Sequence, residues 1–338
     1  MRQTVILTFV AALALGPTAL GVDIETVPVG NPGNTGELSG EGSFARICGR
    51  VDYEYRIGKY EVTAGQYCEF LNAIAKTDTY GVYNVNMADT LSGQGCNIVQ
   101  AGLPGSYSYS VAPDWTNRPV NYVGWGDAAR FANWLHNGRP TGDQDLATTE
   151  DGAYCLNGAT SHEALLAVVR EDDWKWALPS EDEWYKAAYH KNDGVTSNYF
   201  DYPTSSDTVP SADLVDPDPG NNATFYRDGD VYTIGPPYYR TEAGAHENSE
   251  SPYGTFDQGG NVWEWNEQVA YDWFRGLRGG AYAYHDYTMD ASYRSTWSEP
   301  TNESAYFGLR VVEVPEPATL ALLAVGAAAL IGRSRRGR

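Results

Sequence analysis

The residues that could do chemistry gather in the C-terminal half of this 338-residue chain. Asp257 precedes the turn-forming block Gly260-Asn261-Val262-Trp263-Glu264-Trp265. A second cluster runs Arg278-Gly279-Gly280-Ala281-Tyr282-Ala283-Tyr284-His285-Asp286-Tyr287-Thr288-Met289, with Tyr293 and Trp297 just beyond. Rigid amphipathic rings of this kind suit recognition of sugars or peptides. Other chemistries are poorly provided for. The five histidines (His136, His162, His190, His246 and His285) include no pair at i,i+4 spacing. The four cysteines (Cys48, Cys68, Cys96 and Cys155) include no CxxC pair, which argues against a zinc or thioredoxin-type site. They allow three disulfide pairings if the chain is exported, and spacing does not choose among them.

Both ends have the build of sorting segments rather than of a fold. Arg2, the apolar run Val5 to Leu15 and the small-residue exit Ala19-Leu20-Gly21 predict a secretory signal peptide over residues 1–21. At the other end, Val314-Pro315-Glu316-Pro317 precedes an apolar stretch over 318–331 and the basic tail Arg333-Ser334-Arg335-Arg336-Gly337-Arg338. The stretch is short for a transmembrane helix, and the arginines fit a cytoplasmic stop.

Between them, residues 22–314 carry 18 basic against 43 acidic side chains. Nucleic acid and anionic membrane surfaces are poor partners for such a charge, and cations are good ones. The density of Tyr, Trp and Gly marks a packed, turn-rich domain rather than a disordered acidic tail.

The elements that must position the chemistry are short. Alternation over Val51 to Ile57 predicts a strand. Thr63 with Gln66 forms a capping box before a helix whose inner face is Tyr67, Phe70, Leu71 and Ile74. A second helix begins near Asp127 and buries Ala128, Phe131, Ala132 and Leu135. A third begins at the Ser180/Glu183 capping box. Residues 76–118 and 191–252 read as polar loops.

Three ordered blocks resemble the formylglycine-generating enzyme, or sulfatase-modifying factor, family. They are Gly58-Lys59-Tyr60-Glu61-Val62-Thr63; Pro119-Val120 through Asn133-Trp134-Leu135 to Leu178-Pro179-Ser180-Glu181-Asp182-Glu183-Trp184; and Gly254 through the Gly-Asn-Val-Trp-Glu-Trp block and Arg278-Gly279-Gly280 to Phe307-Gly308-Leu309-Arg310. The resemblance implies an α+β fold related to C-type lectins, with long loops and little regular secondary structure. It divides the chain into a lead-in over 22–49, a family domain over 50–313 and a sorting segment over 314–338.

The resemblance also implies structural calcium, held by the side chains of Asp257 and Glu264 and the carbonyls of Gly260 and Val262. The residues alone leave open a turn in which Glu264 caps backbone amides. Trp263 and Trp265 read as core, and Arg278, Arg294 and Arg310 as internal braces.

The family's oxidase uses copper held by two thiolates. Here Tyr284 and Met289 occupy those positions, and no cysteine follows Cys155. Tyrosine is a hard ligand and one thioether cannot replace two thiolates, so neither copper nor formylglycine-generating activity is expected. What remains is a candidate ligand face made by Tyr282, Tyr284, His285, Tyr287, Tyr293 and Trp297; the same rings could instead fill the vacated cleft.

The C-terminal segment resembles the PEP-CTERM sorting signal. That implies transient inner-membrane anchoring, cleavage by an exosortase and onward export to the surface. Three functions follow in order of preference: a noncatalytic exported module binding an extracellular polysaccharide or matrix protein, an oxidoreductase with an altered metal centre, and a structural matrix protein.

Overall fold

The computed structural model describes residues 22–314 apart from 228 and 230. The signal peptide expected at 1–21 and the apolar segment at 318–331 lie outside the described residues. Among the described residues no helix is long and apolar enough to cross a membrane.

Two four-stranded sheets organise the chain. In the first, the strands run in the order Thr26–Val29, Tyr55–Gly58, Val312–Glu313, Trp176–Ala177, and every neighbouring pair is antiparallel. The second runs Ser295–Ser298, Phe274–Arg278, Trp263–Ala270, Phe307–Gly308, with only the last pair parallel. Val51 to Glu54 do not join a strand; pairing with Thr26–Val29 begins at Tyr55. Their alternation instead serves contacts of other kinds, such as the Tyr53 hydroxyl donating to Glu183 Oε1 at 2.6 Å.

Among the described residues there are four α-helices: α1 (Ala64–Ile74), α2 (Trp125–His136), α3 (His162–Ala167) and α4 (Glu181–Tyr189). The Thr63/Gln66 and Ser180/Glu183 capping boxes form at the starts of α1 and α4. They satisfy amide donors that the first helical turn leaves orphaned. The α1 face meets α2 through Tyr67, Phe70, Phe131 and Trp134, whose ring centroids lie 5.2–5.9 Å apart. Helix α2 is buried on every face from Trp125 to Leu135. It therefore carries polar groups inward and must pair them. Arg130 meets Glu150 at 2.7 Å. Asn133 holds Thr149 and Tyr154 by their backbones, which fixes the loop behind the helix.

The long loop over 191–252 carries only the two-residue strands Tyr226–Arg227 and Val231–Tyr232. The 76–118 stretch holds a hairpin, Ile98–Ala101 against Ser108–Val111. All four cysteines are free thiols, with Cys155 alone exposed.

Glu181, at the start of α4, receives Arg278, Arg294 and Arg46 at 2.7–2.8 Å. Despite burial, these guanidinium groups hold its carboxyl down at about 2. Its folded value lies below its ordinary one, so its stabilisation is complete above pH ~4.5 and lost as pH falls toward 2. The shift corresponds to about 3 kcal/mol. Glu181→Gln should destabilise the domain by roughly 3–5 kcal/mol at pH 7. The gap to the parent should shrink between pH 4.5 and 2, as read by urea unfolding at each pH.

Candidate functional site

The Gly260–Trp265 block bends at residues 261–262 and then enters the strand Trp263–Ala270. Gly260 takes φ +88°, and a Cβ there would come within 2.1 Å of Thr224 O, so the residue must be glycine. Asn261 is fully buried and bonds Thr241 through Oδ1, while its amide donates to Glu61 Oε2 at 3.3 Å. Trp265 is fully buried and its indole donates to Val123 O.

Glu264 is also fully buried. Arg310 Nε lies 3.2 and 3.0 Å from its two oxygens, Arg310 Nη2 lies 2.8 Å from Oε1, and Trp184 Nε1 donates to Oε2 at 2.6 Å. Three N–H donors thus converge on a carboxylate that has about four acceptor positions. Glu264 caps no backbone amide; it is the partner of a buried guanidinium.

The rest of the expected calcium set is differently placed. Asp257, at φ +59°, accepts the Gly244 amide on Oδ2 at 2.6 Å. Among the described residues no donor reaches its Oδ1, and none reaches the carbonyls of Gly260 or Val262. No group of three or more His, Cys, Asp or Glu side chains there is disposed to hold a metal. Of the expected calcium donors, Asp257 Oδ1 and the two carbonyls receive no hydrogen bond among the described residues, whereas Glu264 is engaged by Arg310 and Trp184.

The tyrosine-rich segment forms a second feature. The rings close a circuit. It passes from Tyr226 to His285, Tyr287, Tyr293 and Trp263, with centroid spacings of 5.1–6.1 Å. It returns through Tyr284, Tyr306, Tyr282, Tyr239 and Tyr232 to Tyr226 at 5.1–5.6 Å. Edge and tilted contacts predominate, as the ring quadrupoles favour. Trp263 and Tyr282 are the buried floor; Tyr284, His285 and Tyr293 are half-buried; Tyr287 is 54% exposed. The Tyr282 hydroxyl donates to Gln94 Oε1, and burial pushes that phenol up despite the opposing Arg240 guanidinium. Trp297 lies in the Ser295–Ser298 strand, and its side chain is outside the described residues.

Arg278 supports the face from beneath, bonding the carbonyls of Ala291 and Tyr293. A 330 Å³ cavity flanks the circuit, lined by Ser211, Tyr226, Arg227, His285 and Asp286 among others. Arg227 there pairs with Asp213 at 2.9 Å.

The two positions that replace the family's cysteines part company. Tyr284 stands in the circuit, whereas Met289 is fully buried among Tyr202, Ala212, Ala223 and Phe225.

The sequence pattern described as the sulfatase-modifying factor enzyme 1-like domain matches residues 27–314. The chain belongs to that family. Its domain thus begins well before residue 50, because Thr26–Val29 is a strand of the first sheet. A PEP-CTERM protein-sorting motif matches residues 313–336, which marks the protein for export with a C-terminal anchoring segment handled by exosortase-type machinery.

Among solved structures, CarF is similar, at TM-score 0.54 and 20% identity over 87% of this chain and 99% of that one. Treponema denticola variable protein 1 is similar at TM-score 0.50 and 17% identity, over 86% and 95%. PvdO from Pseudomonas aeruginosa aligns at TM-score 0.48 and 17% identity, over 86% and 94%. No curated protein matches the chain. With the family match, the likenesses to CarF and Treponema denticola variable protein 1 establish the fold: an α+β formylglycine-generating-enzyme-like domain related to C-type lectins.

Tyr226, Tyr232, Tyr239 and Tyr306 complete the circuit and were not expected from sequence. The one available signal was tyrosine density between 226 and 239 in an otherwise polar loop. Tyr282→Phe should remove the buried bond to Gln94 and cost about 1–2 kcal/mol, seen as a lower Tm.

Proposed function

We propose that this protein is an exported, noncatalytic recognition module whose tyrosine circuit binds an extracellular polysaccharide. The observation that carries the reading is the circuit itself: a closed run of rings with a buried floor and a partly exposed rim. Such a surface stacks on the apolar faces of sugar rings at little entropic cost, while hydroxyls at its edge hydrogen-bond the sugar's own. The adjoining cavity lies at the lower end of the roughly 300–1,000 Å³ that small-ligand pockets occupy. It adds a serine hydroxyl, a carboxylate and a guanidinium for orientation.

The charge selects further. A domain with 43 acidic and 18 basic side chains repels polyanions, so neutral sugars are the favoured class. A matrix protein bound at the same face is the competing outcome. An oxidoreductase with a remade metal centre has less support, because the circuit offers phenols and one imidazole rather than paired thiolates. Cation binding at the Asp257 turn forms part of the proposal, in a structural role.

Two measurements test it. The purified chain on an array of neutral and acidic oligosaccharides should retain neutral ones. Tyr284→Ala and Tyr287→Ala should each weaken that binding about tenfold with the Tm of the domain retained. A folded chain that retains no glycan, or alanine variants that bind as the parent does, would remove the polysaccharide reading. A peptide carrying Cys-x-Pro-x-Arg, incubated with the chain, copper and oxygen, should keep its mass; conversion of its cysteine to an aldehyde would restore the enzymatic reading.

A further inference from the structure

The strand Trp263–Ala270 begins in the tyrosine circuit and ends in a tight turn. The Trp273 amide bonds Ala270 O at 3.1 Å, and the two residues between, Tyr271 and Asp272, take φ +55° and +53°. That is a type I′ turn, whose twist suits a β-hairpin and whose central residues are normally Asn-Gly. A tyrosine in the left-handed region is a steric outlier, so the turn carries this ring at a conformational cost. Tyr271 is 51% exposed and Trp273 49%, yet each ring is backed by another. Tyr271 meets Phe44 edge-on at 5.1 Å, and its hydroxyl donates to Ser43 Oγ at 3.4 Å. Trp273 lies on His162 at 4.3 Å between ring centroids, and its indole donates to Glu299 Oε1 at 3.4 Å. Glu299 Oε2 stands 3.7 Å from His162 Nδ1. Both His162 ring nitrogens are buried and make no hydrogen bond among the described residues, so the imidazole serves Trp273 by stacking.

We propose that this turn is a second saccharide platform, which takes a neutral sugar on the Tyr271 and Trp273 rings. The proposal rests on the reading of the circuit as a polysaccharide face and adds a separate site to the same chain. Rings held from behind lose little freedom when the apolar face of a sugar covers them. Asp272 is exposed in the turn and Glu299 adjoins Trp273, so carboxylate acceptors for sugar hydroxyls stand beside the rings. The same two charges oppose a polyanion or an anionic lipid surface. Trp263, at one end of the strand, is part of the floor of the circuit; Ala270, at the other, opens the turn. The eight-residue strand sets the two faces roughly 25 Å apart. One polysaccharide chain that engages both gains avidity without any new contact, and two chains engaged separately are cross-linked.

The test offers the full chain to galactomannan, xyloglucan and dextran, three neutral polysaccharides, with polygalacturonate as the acidic control. Retention on the polymer and light scattering of the mixture are read together. The parent should retain a neutral polysaccharide and scatter as polymer chains are cross-linked. Trp273→Ala should weaken retention about tenfold and abolish the scattering. Tyr284→Ala in the circuit should do the same, and the double variant should retain no polymer. Tyr271→Asn should also weaken retention while melting no lower than the parent, because asparagine adopts this backbone more readily. It serves if Trp273→Ala does not fold, and a residue that merely closed the turn would not lose binding with the fold kept. Turn variants that retain and scatter as the parent does would overturn the second platform and leave the circuit reading standing. Loss of all retention in Trp273→Ala, with Tyr284→Ala unaffected, would remove the circuit and keep the turn. Scattering without polysaccharide would assign the rings to contact between copies of the chain and overturn the proposal. Retention of polygalacturonate alone, or of no polymer, would overturn it together with the reading it rests on.

Discussion

The buried pair between Glu264 and Arg310 is the constraint on which the rest depends. Arg310 joins Glu264 of the second sheet to Gly58 of the first and to Phe256 in the turn before the Gly-Asn-Val-Trp-Glu-Trp block. Trp184 of α4 donates to the same carboxylate. One guanidinium and one carboxylate thus fix the mutual position of two sheets, a helix and a turn. Such a pair gains little over a well-packed apolar pair in net stability, but removing one partner strands a charge in the interior. Its value lies in geometry: few alternative packings satisfy every lone pair and every N–H at once.

A second pivot, Glu181 with its three arginines, does the same for the tyrosine face. Arg278 reaches from Glu181 to the carbonyls of Ala291 and Tyr293. The segment that bears the rings is therefore anchored by charge from below and by ring contacts from the side. A loop-rich fold with little regular secondary structure needs such anchors, because few of its backbone groups are held in ladders.

Much of this was legible in the sequence where local rules apply. The capping boxes at Thr63 and Ser180 formed as spaced, the inner face of α1 followed its periodicity, and Trp265, Arg278 and Arg310 went inside. The ordered blocks gave the family and the fold. What stayed hidden depends on contacts between residues far apart in the chain. Val51 to Glu54 alternate like a strand but find no pairing partner. Tyr226, Tyr232, Tyr239 and Tyr306 sit in loops with no period to read, and only the folded chain brings them beside Tyr284. The pairing of Glu264 with Arg310 was not legible because the two lie 46 positions apart and meet only in the folded chain.

The last strand, Val312–Glu313, is central rather than peripheral: it lies between Tyr55–Gly58 and Trp176–Ala177. The first sheet therefore cannot close until the final residues of the domain arrive. For a chain delivered across a membrane from its N-terminus, completion of the fold waits on nearly complete translocation. The Pro-Glu-Pro at 315–317 comes one residue after the strand in the sequence, so processing by the sorting machinery acts beside the very segment that locks the first sheet.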